Sequence, residues 1–312
     1  MNILITSIGS YSAKFVIEQS HLCNAYIIGV DINDAKYLIN AKLADKFYKV
    51  PLTLNTDLYL DEVSKIIERC NVTHIIPLTD VDVDFFSLYL EYFINLGTKV
   101  LVEKYELINL MRNKKNMFAY FSKQQSIQCI PTYTKEEYFA KCNIYPAIAK
   151  IINGRSSQNL LTIGSPEQLN FIPEDNYIIQ PKITGDIITV DVINYNGISC
   201  WIQRKEIFRS SNGVGITIEI INNQSINQSI ESIIKSTNYV GIFNAEFILH
   251  NDKVFLMDIN PRFSAGVAFS FHAGYNFVMN ALNLMNNTNI EPQVLSIPVG
   301  KVIVKEFQEK II

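Results

Sequence analysis

The sequence lacks several features that mark whole classes of proteins. The five cysteines, Cys23, Cys70, Cys129, Cys142 and Cys200, have no paired spacing, which argues against a zinc site or a disulfide framework and for a reducing compartment. No apolar run approaches the roughly 20 residues that a membrane-spanning helix needs. The chain begins with a strand-like run and no basic segment, so we expect no signal peptide, no membrane association and a cytoplasmic location.

An excess of charge is also missing. The formal net charge is −3 over 312 residues, and nothing in the composition indicates a nucleic-acid partner. Hydrophobic residues make up 48% and charged residues 18% of the chain, as in folded soluble proteins. The length allows a large core and more than one subdomain. A homodimer is a reasonable default for a soluble protein of this kind.

The first hundred residues alternate between short apolar runs and helical patterns. A run over Asn2–Thr6 is followed by a turn, a helix and a second run, Ala25–Val30, which ends at Asp31; two further helix–strand units follow. This order predicts an open parallel sheet of the Rossmann type. A nicotinamide site is the corresponding alternative, but the first turn contains a single glycine, Gly9, and not the usual spaced set of three.

Polar residues follow the strand that ends at Pro77. Thr79, Asp80 and Asp82 come directly after it, and side chains at the carboxyl end of a strand in such a sheet tend to face the ligand crevice. They would serve equally well to cap the helix that follows, which we expect over Asp84–Asn95. Both interpretations stay open at this point.

A hairpin is predicted late in the chain, within Phe243–Gly266. Two apolar runs, Ala245–Leu249 and Val254–Ile259, flank the polar turn His250–Lys253. This pattern is typical of two antiparallel strands with apolar faces.

Oxygen-bearing side chains interrupt both arms of this hairpin. Glu246 and Asp258 come about level when the chain folds at the turn, and strand alternation puts Asn260 on the same face as Asp258. Three oxygen ligands would then converge, as in a Mg²⁺ site. Arg262, two residues further on, suits a phosphate group. An edge hairpin with solvated acids is the alternative.

A second apolar strand, Tyr145–Lys150, ends in a charge. A lysine in that position needs an anion or water nearby. The segment that follows, Ile151–Asn159, is rich in small and polar residues. Gly154, Ser156 and Ser157 can turn backbone N–H groups toward an anion, as phosphate loops do. A plain hairpin loop is the alternative.

Three cations follow in Gln203–Arg209. On strand spacing Lys205 and Arg209 share one face, and Arg204 points to the other. One face could therefore bind the carboxylate of a substrate or a phosphate, although a solvated surface accounts for the pattern equally well.

In order and separation these motifs resemble those of the ATP-grasp superfamily. In their residues they are most similar to the short stand-alone relatives of the carbamoyl-phosphate synthase large subunit. The resemblance covers Asn2 to about Ile303. It implies an α/β protein, α+β in its C-terminal part, with an ATP-grasp fold behind a Rossmann-like pre-ATP-grasp domain. The implied divisions are that domain at 1–104, a small subdomain with the phosphate loop at 105–180, and a C-terminal subdomain with the metal site at 181–312.

The resemblance also assigns site residues. Lys150 and Arg262 would be the catalytic cations. The carbonyl of Pro181 and the N–H of Ile183 would form the adenine hinge. The residues implied at the nucleotide are Lys114, Lys150, Gly154, Ser156, Ser157, Gln180, Pro181, Ile183 and Asp186, and those implied at the metal are Glu246, Asp258 and Asn260. The chain departs from the family in having one glycine in its loop, and aspartate in place of glutamate at Asp186 and Asp258.

The implied activity is that of an ADP-forming ligase. A small-molecule carboxylate would attack the γ-phosphate of ATP, and an amine would displace phosphate from the resulting acyl phosphate. ATP and Mg²⁺ are the implied cofactors, with Mn²⁺ as an alternative metal. A non-catalytic, nucleotide-sensing protein is the rival interpretation, because the substituted loop and the shortened acids are compatible with lost activity. Carbamoyl-phosphate synthesis itself is not expected, since that reaction uses two such halves and a glutaminase partner.

Overall fold

A computed structural model of the chain describes residues 1–154, 160–292 and 296–311. The strands in chain order are β1 (Asn2–Ile5), β2 (Tyr26–Asp31), β3 (Lys46–Lys49), β4 (His74–Ile76), β5 (Lys99–Val100), β6 (Ala147–Ile151), β7 (Leu161–Ile163), β8 (Tyr177–Pro181), β9 (Asp186–Tyr195), β10 (Ile198–Arg209), β11 (Gly215–Ile221), β12 (Gly241–His250), β13 (Lys253–Asn260) and β14 (Val302–Val304).

The helices are distributed over the same described residues. They are α1 (Ala13–Leu22), α2 (Thr56–Cys70), α3 (Asp80–Leu88), α4 (Leu90–Asn95), α5 (Tyr105–Arg112), α6 (Lys114–Phe121), α7 (Lys135–Lys141), α8 (Pro166–Leu169), α9 (Gln224–Thr237), α10 (Val267–His272) and α11 (Phe277–Met285), with 3₁₀ turns at Ala35–Tyr37 and Ile39–Lys42.

The predicted parallel sheet is confirmed, with strand order β3-β2-β1-β4-β5. β1 lies at its centre and pairs in parallel with β2 and β4. Strand order reverses between β1 and β4, and a crevice forms outside the carboxyl ends of the strands at such a point. The loops after β1 and β4 therefore face the same opening.

The sequence did not indicate β3. It also placed the start of the helix after β4 too late. β3 has the sequence KFYK and its shape follows from pairing with β2. The helix expected from Asp84 begins at Asp80, because Thr79 and Asp82 form a capping box at its N-terminus. That reciprocal pair satisfies two backbone donors of the first turn.

Two antiparallel sheets make up the rest of the described fold, in the orders β7-β6-β8 and β13-β12-β9-β10-β11-β14. The hairpin predicted late in the chain is confirmed as β12 and β13. Its turn residues, Asn251 and Asp252, have φ of 47° and 64°. Positive φ at both central residues is the geometry of a type I′ turn, whose twist suits a two-residue hairpin.

The sequence pattern over Leu107–Lys123 predicts one helical stretch, and the structure divides it at Asn113. The Asn113 side chain accepts from two backbone N–H groups of the next turn and so starts α6. α5 and α6 bury Ile108 and Met117 in the same core as the strands of the six-stranded sheet. Lys114, the first residue of α6, is directed toward that sheet as a result.

The domain boundaries expected at residues 104 and 180 stay a prediction. The first falls between β5 and α5, and the second falls inside β8. Within the described residues, helices are too short or too polar to form a membrane span.

Candidate active site

Backbone pairing in the β12–β13 hairpin aligns the predicted metal ligands. Glu246 lies opposite Asp258, and Asn244 lies opposite Asn260. The pairing is irregular directly after Glu246, where one extra residue of β13 bulges. Glu246, Asp258 and Asn260 all line one cavity of about 680 Å³. The expectation that the two acids lie level is thus confirmed, and their role as metal ligands stays a prediction.

Lys114 contacts this group of oxygens from α6. Its Nζ lies 3.1 Å from Oδ2 of Asp258 and donates to the carbonyl of Gly154 at 2.9 Å. Only 4% of Lys114 is exposed. The sequence placed this lysine near phosphates; the structure brings it to the hairpin and to the start of the predicted phosphate loop together. A buried ammonium of this kind needs both partners, because desolvation penalises the unpaired charge.

Lys150, near the end of β6, lines the same cavity. Burial lowers the pKa of Lys150 to about 8, with the charge of Lys114 acting in the same direction, while Asp258 and Glu246 oppose the shift. A lysine with a lowered pKa among acids and a second lysine is typical of a functional site. The strand lysine thus lines the same cavity as the hairpin acids, and its contact with a nucleotide stays a prediction.

Glu246 forms an ion pair with Arg209, a cation that the sequence analysis considered as a possible ligand of a substrate carboxylate or phosphate. Nη2 of Arg209 lies 3.1 Å from Oε1 of Glu246. Burial raises the pKa of Glu246, Arg209 lowers it, and the nearby Asp258 raises it further. A carboxylate next to a second carboxylate gains from a cation or a metal between them.

The prediction that Lys205 and Arg209 share a face is wrong. β10 pairs irregularly with β11 between Glu206 and Arg209, and each such irregularity can shift the side-chain alternation. Arg204, Glu206 and Arg209 line the cavity. Lys205 instead lies 2.6 Å from the carboxylate of Asp186, outside the described lining.

Arg262 lines the cavity and is held by an acid from the parallel sheet. Its Nε and Nη2 donate to the two carboxylate oxygens of Asp80 at 2.6 and 3.1 Å. Nη1 of Arg112 lies 3.3 Å from the same carboxylate. Although burial acts to raise it, these guanidinium groups hold the pKa of Asp80 well below its usual range. Both interpretations open after β4 hold in part: Thr79 and Asp82 cap α3, and Thr79, Asp80 and Asp82 all line the cavity.

The predicted adenine hinge lies outside the described lining of the cavity. The N–H of Lys182 donates to the carbonyl of Pro146, and the N–H of Ile152 donates to the carbonyl of Asn176. The backbone N–H and C=O groups of even-numbered residues along β8 are therefore directed toward β6. By alternation the Pro181 carbonyl points away from β6, which is compatible with its predicted contact. Ile183 is half-buried two residues further on.

The other residues assigned to the nucleotide have partners within the chain. Gln180 is buried and donates to Oγ1 of Thr132 at 2.7 Å. Asp186 is largely exposed at the start of β9, where its partner is Lys205. The N–H of Gly154 donates to the carbonyl of Ile151 at 3.0 Å. Ser156 and Ser157 lie outside the described residues.

Sequence reasoning missed Glu206, which lines the cavity, and Arg112, which contacts the lining residue Asp80 from outside the described lining. Arg112 carried no signal, because its partner Asp80 lies 32 positions earlier in the numbering and on another layer. Glu206 was visible only as an acid among the cations of β10. The cavity also reaches Ser10 and Asp31 beyond the carboxyl ends of β1 and β2. Asp31 accepts from the N–H of Gly9 at 2.8 Å and so braces the first turn.

The donor set of the hairpin fits a hard cation such as magnesium better than a metal that prefers nitrogen or sulfur ligands. Within the described chain, His, Cys, Asp and Glu side chains do not form a group of three suited to hold a metal ion. Two carboxylates and an amide oxygen are instead available at Glu246, Asp258 and Asn260. Mg²⁺ usually binds one or two protein carboxylates and completes its shell with phosphates and water, so this set is compatible with it.

Comparisons with known proteins agree with the fold. Residues 174–309 match the family described as ATP-grasp in the biosynthetic pathway with Ter operon. In a search of curated protein sequences the chain has no match.

Solved structures similar to this one include three enzymes of different reactions. The biotin carboxylase domain of 2-oxoglutarate carboxylase from Hydrogenobacter thermophilus, in complex with MgADP, ADP and bicarbonate, has a TM-score of 0.79 at 13% identity, over 96% of this chain and 73% of that one. The N5-carboxyaminoimidazole synthetase from Staphylococcus aureus, complexed with ADP, has a TM-score of 0.73 at 13% identity, over 94% and 79%. An L-amino acid ligase from Bacillus licheniformis has a TM-score of 0.72 at 13% identity, over 91% and 74%.

These similarities define the class of protein. The chain has the ATP-grasp fold, and its residues 174–309 match an ATP-grasp family model. The resemblance to the ATP-grasp superfamily is confirmed for the fold and for that part of the chain. The narrower resemblance to relatives of the carbamoyl-phosphate synthase large subunit stays a prediction.

Proposed function

We propose that this protein is an ATP-dependent ligase that joins a small-molecule carboxylate to an amine, with release of ADP and phosphate. One observation carries the proposal: the oxygens of Glu246, Asp258 and Asn260 line the same cavity as Lys114 and Lys150. Acids and cations together in one cleft suit a metal-bound triphosphate, because the metal needs oxygen ligands and the phosphates need cations.

ATP and Mg²⁺ as ligands of this chain find support in the neighbours. The carboxylase domain from Hydrogenobacter thermophilus binds MgADP, and the synthetase from Staphylococcus aureus binds ADP. Glu246, Asp258 and Asn260 would hold Mg²⁺, which when bound would neutralise charge on the phosphates. The oxygen ligands of this set suit Mn²⁺ as well.

The cations of the chain would do the remaining electrostatic work. Lys114 lies between Asp258 and the Gly154 carbonyl, within reach of phosphates bound at the hairpin. Bound phosphate oxygens would raise the pKa of Lys150 again, since a nearby anion favours the protonated form. Arg262 presents a guanidinium that Asp80 has already oriented. Catalysis would then rest on positioning and charge neutralisation, without a covalent nucleophile.

In the proposed reaction the substrate carboxylate attacks the γ-phosphorus and the bond to the ADP oxygen breaks. The amine then attacks the acyl carbon of the acyl phosphate, inorganic phosphate leaves, and the amine loses a proton. The cavity is large enough for a nucleotide tail and a small acceptor, at about 680 Å³, within the range typical of ligand pockets.

ADP release tests the proposal. The purified chain is incubated with ATP, Mg²⁺ and a panel of amino acids, small carboxylic acids and amines, and ADP is followed by a coupled assay. We expect turnover with at least one acid–amine pair, and Asp258→Asn to reduce it about 100-fold or more. Asp252→Asn in the exposed hairpin turn is the matched control and should keep full turnover. Full turnover by Asp258→Asn would remove the metal assignment.

A second candidate is a non-catalytic nucleotide-binding protein. It is favoured by the ion pairs Lys114–Asp258 and Arg209–Glu246, in which both hairpin acids already have cationic partners. ATP binding by calorimetry, without ADP formation across the whole panel, would select this candidate over the ligase.

A further inference from the structure

Three residues that line one cavity each carry a buried polar atom without a partner among the described residues. Among the described residues, six buried side-chain nitrogen or oxygen atoms have no hydrogen-bond partner. Oγ of Ser10, Nε of Arg204 and Oε2 of Glu206 belong to residues of the cavity lining. Buried polar groups are nearly always satisfied in proteins, so an exception calls for an explanation such as a ligand.

Among the residues that the structure describes, Glu206 is the charged member of this set that forms no ion pair. The cations along the same strand have other acids: Arg204 contacts Asp191, and Arg209 lies 3.1 Å from Glu246. Lys205 lies 2.6 Å from the carboxylate of Asp186.

Another cation that interacts electrostatically with Glu206 is Lys305. Its ammonium group contacts other groups. Its Nζ donates to the carbonyl of Ala265 at 3.3 Å. It also lies 5.6 Å and 5.3 Å from the ring centres of Tyr11 and Phe269. Glu206 raises the pKa of Lys305, against a larger lowering by burial, yet the two side chains do not form an ion pair among the described contacts.

The backbone of β11 makes room for the Glu206 carboxylate. A Cβ at Gly215 would lie 2.1 Å from Oε2 of Glu206, much closer than two such atoms can approach. Glycine at this position therefore leaves room for the carboxylate, and a larger residue would displace it. Arg204, two residues earlier on the same strand, also belongs to the cavity lining and has a buried Nε–H without a partner; residues at this spacing on a strand are about 7 Å apart.

We propose that Glu206 is an anionic subsite that binds the protonated primary amine of a small substrate, with Arg204 donating to an acceptor atom of the same molecule. Resting on the proposed function, the inference names one of the two substrates of the ligase as an amine-bearing compound. A charge-assisted hydrogen bond to an otherwise unpaired carboxylate favours such a ligand over its deaminated analogue by about tenfold or more.

Matched pairs of ligands test the subsite by binding alone. The full chain is titrated by calorimetry with L-alanine and propionate, L-leucine and 4-methylpentanoate, and L-phenylalanine and 3-phenylpropionate, each with Mg²⁺ and a non-hydrolysable ATP analogue and again without them. We expect at least one amine-bearing member to bind about tenfold or more tightly than its partner. Glu206→Gln should remove that preference.

Two further variants separate the charge from its position. Glu219→Gln removes one acid from β11 outside the described lining of the cavity, and it should keep the preference for the amine. Gly215→Ala keeps the Glu206 charge but displaces it, and should lose the preference. Each variant is first compared with the parent in thermal unfolding, so that only folded proteins enter the titrations.

The outcomes separate this subsite from the ligase proposal. Equal binding of both members of every pair, or an undiminished preference in Glu206→Gln, overturns the subsite, as does the absence of binding by every amine while the ATP analogue binds. An amine preference that depends on Glu206, in a protein that does not bind the ATP analogue, supports the subsite and counts against the ligase.

Discussion

Arg262 and Asp80 form a two-point ion pair across the cavity, with Nε and Nη2 of the arginine 2.6 and 3.1 Å from the two carboxylate oxygens. They are 182 positions apart. Asp80 starts α3 beside the parallel sheet, and Arg262 follows β13 of the six-stranded sheet. A bidentate guanidinium–carboxylate contact fixes orientation as well as distance. The pair therefore joins two layers of the fold at the place where the proposed phosphates would lie.

Asp80→Asn should destabilise the protein markedly. Only 3% of Asp80 is exposed, and 4% of Arg112. Removal of the charge leaves two guanidinium groups without their shared partner, and breaking a buried pair in this way typically costs about 3–5 kcal/mol. Chemical denaturation with urea measures the change in the free energy of unfolding.

Asp84→Asn is the control for that experiment. Asp84 also contacts Arg112, but 43% of its side chain is exposed, so its loss should cost about 1 kcal/mol or less. Equal stability of Asp80→Asn and the parent protein would show that the pair does not tie the two layers together.

Acid should weaken the protein through the same carboxylate. Because the pKa of Asp80 is lowered in the folded state, its stabilising contribution is fully present above the unfolded-state pKa of about 3.9 and is lost as the pH falls below it. The free energy of unfolding of the parent should therefore fall between about pH 4.5 and pH 2.5 more steeply than that of Asp80→Asn. Parallel curves for the two proteins in that range would contradict the assignment.

The alternation of side chains along a strand was sufficient to predict the features that depend on the hairpin alone. The level positions of Glu246 and Asp258 follow from the length of the turn and the period of a strand, and pairing confirms them. The division between α5 and α6 was not predicted, although Asn113 ahead of Lys114 is a residue type that favours a helix start. Local patterns were sufficient for the hairpin.

Features that depend on distant contacts could not be read from the sequence. Arg209 lies on the cavity face because β10 pairs irregularly with β11, and bulges follow from packing between strands more than from local residue type. The contact between Arg262 and Asp80 joins two layers that the chain visits far apart. β3 lacks an apolar pattern of its own and depends on β2.

ATP affinity should fall as the pH rises through the pKa of Lys150. With that pKa lowered to about 8 by burial, and with Lys114, Asp258 and Glu246 as its charged neighbours, the free protein loses the ammonium between pH 7 and 9. A phosphate-binding lysine must be protonated, so the dissociation constant for MgATP should rise by up to about tenfold over that range.

Calorimetry at pH 7, 8 and 9 measures this change, and Lys150→Met provides the comparison. The variant should bind more weakly at pH 7 and vary less with pH, since it has no proton to lose. A parent protein whose affinity is the same at pH 7 and pH 9 would show that Lys150 does not contact the phosphates.

Asp252→Gly should stabilise the hairpin that holds the predicted metal ligands. Asp252 has φ of 64° in the turn, a region where glycine has no steric penalty, and Asn-Gly is the preferred pair for a type I′ turn. A gain of about 0.5–1 kcal/mol is expected, visible as a higher midpoint of thermal unfolding. Asn251, before it in the turn, is left unchanged. A lower midpoint would mean that the Asp252 side chain stabilises the folded protein by more than is gained when the steric cost of its positive φ is removed.

Asp191→Asn tests how firmly the cavity wall is held. Arg204 is 1% exposed and contacts Asp191, and it also donates to Ser270 at 2.6 Å and Ser264 at 3.1 Å. Without the carboxylate, the guanidinium keeps its hydroxyl partners but loses the compensation of its charge.

The structure therefore predicts two effects of Asp191→Asn that can be measured separately. The free energy of unfolding should fall by about 3–5 kcal/mol, the usual result of removing one partner of a buried pair. Sulfate or another small anion should bind more tightly to the variant than to the parent, because Arg204 lines the cavity and its charge is then uncompensated. Asp191→Leu with Arg204→Met removes both charges, and should recover part of the stability without gaining the anion. A double variant that is less stable than Asp191→Asn would show that the charge balance between Arg204 and Asp191 does not determine the stability of this part of the protein.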